Sequence, residues 1–142
     1  MEIFCNDSGK PVFATCLNCI DGRTHFPVIN WIKEVYGIDY VDLITEPGMV
    51  GAVSVDEGLI DENILKNVST SISKHNTRKI FIVAHYDCAG NPVNEEEQRD
   101  QLLIACKNLK SLYPQHLVSG LWLDHNSEVS LVFESGEDKS IR

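Results

Sequence analysis

Two short stretches hold most of the residues that can do chemistry. One is Cys19-Ile20-Asp21-Gly22-Arg23 and the other is His85-Tyr86-Asp87-Cys88-Ala89-Gly90. Two thiolates and an imidazole suit zinc, a borderline-soft cation that accepts sulfur and nitrogen tetrahedrally. Cys19, His85 and Cys88 make three ligands and leave a fourth position for water, the pattern of a catalytic rather than a structural site. His85 and Cys88 are three apart and can converge on one ion as the chain turns, with Gly90 letting the backbone turn closely. Asp21, two residues beyond a ligand, can accept a hydrogen bond from a water on the metal or ligate the metal itself. Arg23 can hold Asp21 ionised through a bidentate, charge-assisted pair. Zinc lowers the pKa of its water to roughly 7, which makes hydroxide available at neutral pH. The cofactor expected is therefore Zn2+.

C-x-D-x-R, followed some sixty-odd residues later by H-x-x-C with a glycine just after it, resembles the β-class carbonic anhydrases. The resemblance covers about residues 12–132. Asp42-Leu43-Ile44-Thr45 is similar to that family's second core strand, and Gly120-Leu121-Trp122-Leu123-Asp124 to its late strand. It implies Cys19, His85 and Cys88 as zinc ligands and Asp21 with Arg23 as the catalytic dyad. It also implies reversible hydration of CO2 to bicarbonate by a homodimer or higher homo-oligomer. Two departures stand out. Glu46-Pro47-Gly48 replaces an Arg-Asn-Ala segment, removing a structural contact and reversing the local charge, and Cys88-Ala89-Gly90 replaces Cys-Gly-Gly. The resemblance is thus to a small, divergent member with its zinc site kept and its substrate pocket rebuilt. Two alternatives stay open at this point. One is a non-catalytic zinc-binding relative whose site Asp21 closes as fourth ligand; the other is a hydrolase of COS or CS2 on the same fold.

Strands and helices must bring the two stretches together. Residues 12–18 read as a buried strand, and a helix near Pro27 carries Val28, Ile32 and Val35 on one face, with Gly37 as its stop. Residues 40–45 read as a second strand, closed by Glu46-Pro47-Gly48, whereas the small, Gly-rich residues 49–58 fit no element. Ile64, Leu65, Val68 and Ile72 mark a one-sided helix. The continuous apolar run at 80–83, inside a strand over 79–85, belongs to a strand covered on both faces. Asn94 can cap a helix and be answered by Glu97, and that helix would bury Leu102, Ala105, Leu109 and Leu112. Strands over 117–123 and 129–133 flank the turn at 124–127.

This alternation predicts an α/β fold: a three-layer open sheet, mostly parallel, of order about 2-1-3-4, with helices on both faces and a last strand free to run antiparallel. In such sheets ligands gather beyond the carboxyl ends of strands, where the strand order reverses. The order 2-1-3 makes the ends that carry Cys19 and His85 neighbours.

Residues 1–142 are expected to form one domain. The formal net charge of −9 speaks against nucleic acid and anionic membrane surfaces, leaving a small molecule as the expected partner. The start lacks a basic region followed by an apolar stretch, and no apolar run approaches bilayer length, so a cytoplasmic location is expected. Cys5, Cys16, Cys19, Cys88 and Cys106 then read as reduced thiols. Cys16 forms C-x-x-C with Cys19, but its place inside the first strand points to a buried, inert thiol. A cysteine-phosphatase loop at Cys88 is excluded because position 94, six residues on, is asparagine rather than arginine. His25 reads as a solvated loop histidine, and His75, His116 and His125 as surface residues. Trp31 and Trp122 read as core or interface aromatics.

Overall fold

The computed structural model describes residues 9–135; Cys5 and most of the start lie outside the described residues. Five strands form one sheet of order β2-β1-β3-β4-β5: β1 (Phe13–Cys19), β2 (Tyr40–Glu46), β3 (Lys79–His85), β4 (Leu117–Leu123) and β5 (Val129–Glu134). The first four are parallel and β5 runs antiparallel to β4. The order and direction match the expectation from the alternating pattern, including the reversed last strand.

Four helices cover the two faces: α1 (His25–Tyr36), α2 (Met49–Val53), α3 (Glu62–His75) and α4 (Glu95–Leu112). Side chains alternate across a strand, so β1 sends Ala14 and Cys16 to one face and Leu17 to the other. The first face packs under Val28, Ile32 and Tyr36 of α1. The second packs under Ile64 and Val68 of α3, Leu102, Ala105 and Leu109 of α4, and the whole apolar side of α2. All of β3 is buried, as a strand sandwiched between helix layers must be. Helix ends follow local chemistry. Gly37 ends α1 with φ 69°, and Asn94 caps α4 by accepting a 2.8 Å hydrogen bond from Glu97 N. At the sheet end away from Cys19 and His85, the buried Lys79 Nζ donates to Glu134 Oε2 at 3.0 Å, and the Tyr36 and Ser119 hydroxyls donate to the same oxygen.

The segment that fitted no element, residues 49–58, holds α2 and then a 3-10 turn beginning at Glu57. A five-residue helix is too short to display a period, and its support comes from elsewhere. Asn108 Nδ2 donates to Val53 O at 2.9 Å and to Val55 O at 2.7 Å. Ahead of α2, Gly48 has φ 60°, and a Cβ there would stand 2.6 Å from Gly90 O. A Cβ on Gly90 would stand 2.7 Å from Gly48 N. The turn after β2 therefore lies backbone to backbone against the loop after β3. Gly48→Ala is expected to lower unfolding stability in urea by at least about 1 kcal/mol, through left-handed strain alone. Wild-type stability in that variant would show that the two loops do not pack this closely.

Candidate metal centre

Parallel pairing of β1 with both β2 and β3 brings the carboxyl ends of all three to one edge. Cys19 is the last residue of β1 and His85 the last of β3, and Cys88 follows on the loop. Asp87 adopts φ 48° on that loop, which turns the chain back so that Cys88 faces Cys19. The Cys19 and Cys88 sulfurs are 3.9 Å apart, and the three donor atoms all lie within 4.8 Å of one another. All three residues are buried. Among the described residues no other group of His, Cys, Asp or Glu converges in this way.

Donor chemistry supplies the test of fit. Both ring nitrogens of His85 are buried without a hydrogen-bonding protein group, a costly arrangement unless something else engages them. Burial pushes the His85 pKa down, favouring the neutral imidazole that ligates metals. Burial pushes the Cys88 thiol up, and the neighbouring Cys19 adds to the rise. A cation reverses that preference, because a coordinating thiol is deprotonated outright. The Gly48 amide also donates to Cys19 Sγ at 3.4 Å, so the Glu46-Pro47-Gly48 segment supplies a backbone dipole to one sulfur. Three buried donors of these types, this close, could hold a metal.

Asp21 and Arg23 sit just outside this group, on the turn between β1 and α1. Arg23 Nη2 donates to Asp21 Oδ2 at 2.6 Å and Nε reaches both carboxylate oxygens, at 3.1 and 3.2 Å. The same guanidinium spans to the other loop. Nη2 donates to Asp87 O at 3.2 Å, Nη1 lies 3.5 Å from Asp87 Oδ2, and the group stacks 4.8 Å from the Tyr86 ring centroid. Arg23 thus ties both ligand-bearing loops together, a role that the spacing of C-x-D-x-R alone does not disclose.

Two histidines depart from expectation. His25 is no free loop residue: it begins α1, and its Nε2 lies 3.1 Å from Cys19 O, on the backbone of a candidate ligand. His116 is only half-exposed, with its Nδ1 fully buried. Cys16 is buried completely, and burial holds its pKa far above the ordinary thiol value. Cys16, Cys19, Cys88 and Cys106 are all free thiols. Trp122 is core, with the Arg99 guanidinium carbon 4.7 Å from its ring centroid. No helix of the described residues is long and apolar enough to cross a membrane.

A family model described as "Putative carbonic anhydrase" matches residues 9–133, most of the chain. The chain belongs to that family. No curated protein matches the sequence. Among solved structures, a carbonic anhydrase of Streptococcus mutans is 16% identical, with a TM-score of 0.61 over 87% of this chain and 84% of that one. The β-carbonic anhydrase isoform I of Trichomonas vaginalis is 12% identical, with a TM-score of 0.58 over 92% and 87%. One from Sordaria macrospora, described as tetrameric, is 12% identical, with a TM-score of 0.55 over 90% and 85%. Identities this low carry the fold, and the fold agrees: a mostly parallel sheet with helices around it.

The Asp21–Arg23 pair sets a pH signature. Hydrogen bonds from Arg23 hold the Asp21 carboxyl down at about 2, against an ordinary 3.8. The folded value is the lower one, so this contribution to stability is complete above about pH 4 and fades as pH falls through about 2. A carbon-13 titration of the Asp21 carboxyl should find it ionised at pH 3, and Arg23→Gln should return its midpoint toward the ordinary value. An unmoved midpoint would break the assignment of that shift to Arg23.

Proposed function

We propose that this chain is a zinc-dependent lyase of the carbonic anhydrase type that hydrates CO2 reversibly to bicarbonate and a proton. The observation that carries the reading is the buried trio Cys19, His85 and Cys88, its donor atoms within 4.8 Å of one another at the ends of adjacent strands. Family membership supports the reaction class. Zinc held by two thiolates and one imidazole supplies Lewis acidity that brings a coordinated water to a pKa of roughly 7.

The chain's own groups do the rest. Asp21, ionised at any pH of interest, is the acceptor that orients the reacting water's proton and directs its lone pair at the carbon of CO2. Arg23 keeps that carboxylate charged and fixed in place, because its bonds reach both oxygens. A site closed by Asp21 as fourth ligand would have to break this clamp, so the geometry favours the open reading over a non-catalytic one. Glu46-Pro47-Gly48 contributes its amide to Cys19 where an arginine would otherwise add positive charge. The proposal extends to a protein that takes no nucleic acid, in keeping with its net charge of −9, works in the cytoplasm and forms homo-oligomers; the tetrameric Sordaria macrospora relative is in keeping with the last of these.

Stopped-flow CO2 hydration between pH 6 and 9, on protein of measured zinc content, tests the proposal. The expected result is a rate that rises with pH along a single ionisation near 7. One zinc per chain with no rate above buffer at any pH would overturn the lyase reading. Cys88→Ala should lose the metal, and full zinc occupancy in that variant would refute the ligand set. Arg23→Ala should keep zinc and lose activity by about 100-fold or more, as expected when an oriented proton acceptor is released; retained activity would sink the role given to the pair.

A further inference from the structure

Gln98 was not among the residues singled out by type or spacing, and yet it touches a candidate ligand at two points. It lies in the first turn of α4 and is only 2% exposed. Its Oε1 accepts from His85 N at 3.0 Å and its Nε2 donates to His85 O at 2.9 Å. A carboxamide that pairs both backbone groups of one residue does what a neighbouring strand would do.

The sheet shows why that is needed here. The ladder between β1 and β3 ends at Leu17 and Ile82, so His85 extends beyond its partner on that side. On the other side, Tyr86 N donates to Leu123 O at 3.1 Å. Successive residues of a strand present their backbone groups to opposite sides, which leaves those of His85 facing the interrupted ladder. Unpaired, they would be buried polar groups left without partners, a costly arrangement. Gln98 completes the edge with one side chain.

Metal-ligating histidines are ordinarily oriented by a hydrogen bond from the second ring nitrogen to a carboxylate or carbonyl. No protein group among the described residues does this for His85. The constraint comes through the backbone instead. We propose that Gln98 is the positioning residue of the metal centre: by clamping His85 N and O to α4 it fixes where the imidazole stands relative to Cys19 and Cys88. This rests on the metal reading above. The sequence did carry a signal for Gln98. With Leu102, Ala105 and Leu109 it shares the buried stripe of α4, where an amide has to find partners.

Gln98→Met keeps the length and removes both hydrogen bonds. Zinc affinity, measured by competition with a chromophoric chelator, is expected to fall about 10- to 100-fold, and the ligand-field absorption of the cobalt(II)-loaded protein to change in intensity and position. Gln98→Glu, which keeps an acceptor for His85 N–H, should show a smaller fall in the same direction and reads the effect if the methionine variant does not fold. Urea unfolding without metal separates general stability from the site, since a merely structural role would lower stability and leave the cobalt spectrum alone. Wild-type zinc affinity with an unchanged cobalt spectrum in either folded variant overturns the proposal. A wild-type chain that takes up neither zinc nor cobalt overturns the metal reading itself, and this inference with it.

Discussion

Two sulfurs and an imidazole buried within 4.8 Å of one another make a demand that the surrounding protein answers only in part, through the Gly48 amide on Cys19 Sγ. Neutral thiols can tolerate burial, as Cys16 and Cys106 do in the core. An imidazole with both nitrogens shut away from hydrogen-bonding protein groups is another matter. A cation would resolve it, drawing the thiols into their charged form and taking a lone pair from the ring. The rest of the molecule can be understood as the means of bringing these three donors together and holding them there.

That means is topological first. Residues far apart in the chain become neighbours because β1 lies between β2 and β3 and runs parallel to both, so three strand ends share one edge. Burial of β3 on both faces fixes the depth at which His85 emerges. Local devices then set the final geometry. Gly48 and Gly90 let two loops touch through their backbones, Arg23 bridges the loops through Asp21 and Asp87, and His25 and Gln98 grip the backbones of Cys19 and His85. The positive φ of Asp87 shows the same economy, because a strained non-glycine residue persists only where its surroundings hold it.

Much of this could be read from residue types and spacing. The apolar run of β3, the Asn94 cap of α4 and the Gly37 stop of α1 are local signals, written in the residues that execute them. The candidate ligands were legible because thiol and imidazole are rare donor types, and their placement at strand ends follows from the alternating pattern. What stayed hidden depends on contacts between distant residues. α2 is too short to show a period and is held by Asn108, some fifty residues on. Glu46-Pro47-Gly48 looked like a loss of charge, and its positive contribution, an amide on Cys19 Sγ, needs three dimensions to see. His25 read as a loop residue because nothing in sequence says that its ring reaches back to Cys19 O.

The central claim is that Cys19, His85 and Cys88 together hold one zinc ion and leave a fourth position to a light atom. X-ray absorption at the zinc edge, on protein loaded to one metal per chain, tests it most directly. The account requires two sulfur neighbours at about 2.3 Å and two nitrogen or oxygen neighbours at about 2.0–2.1 Å. A shell with three or four sulfurs, or with none, would contradict the ligand set and with it the function proposed here.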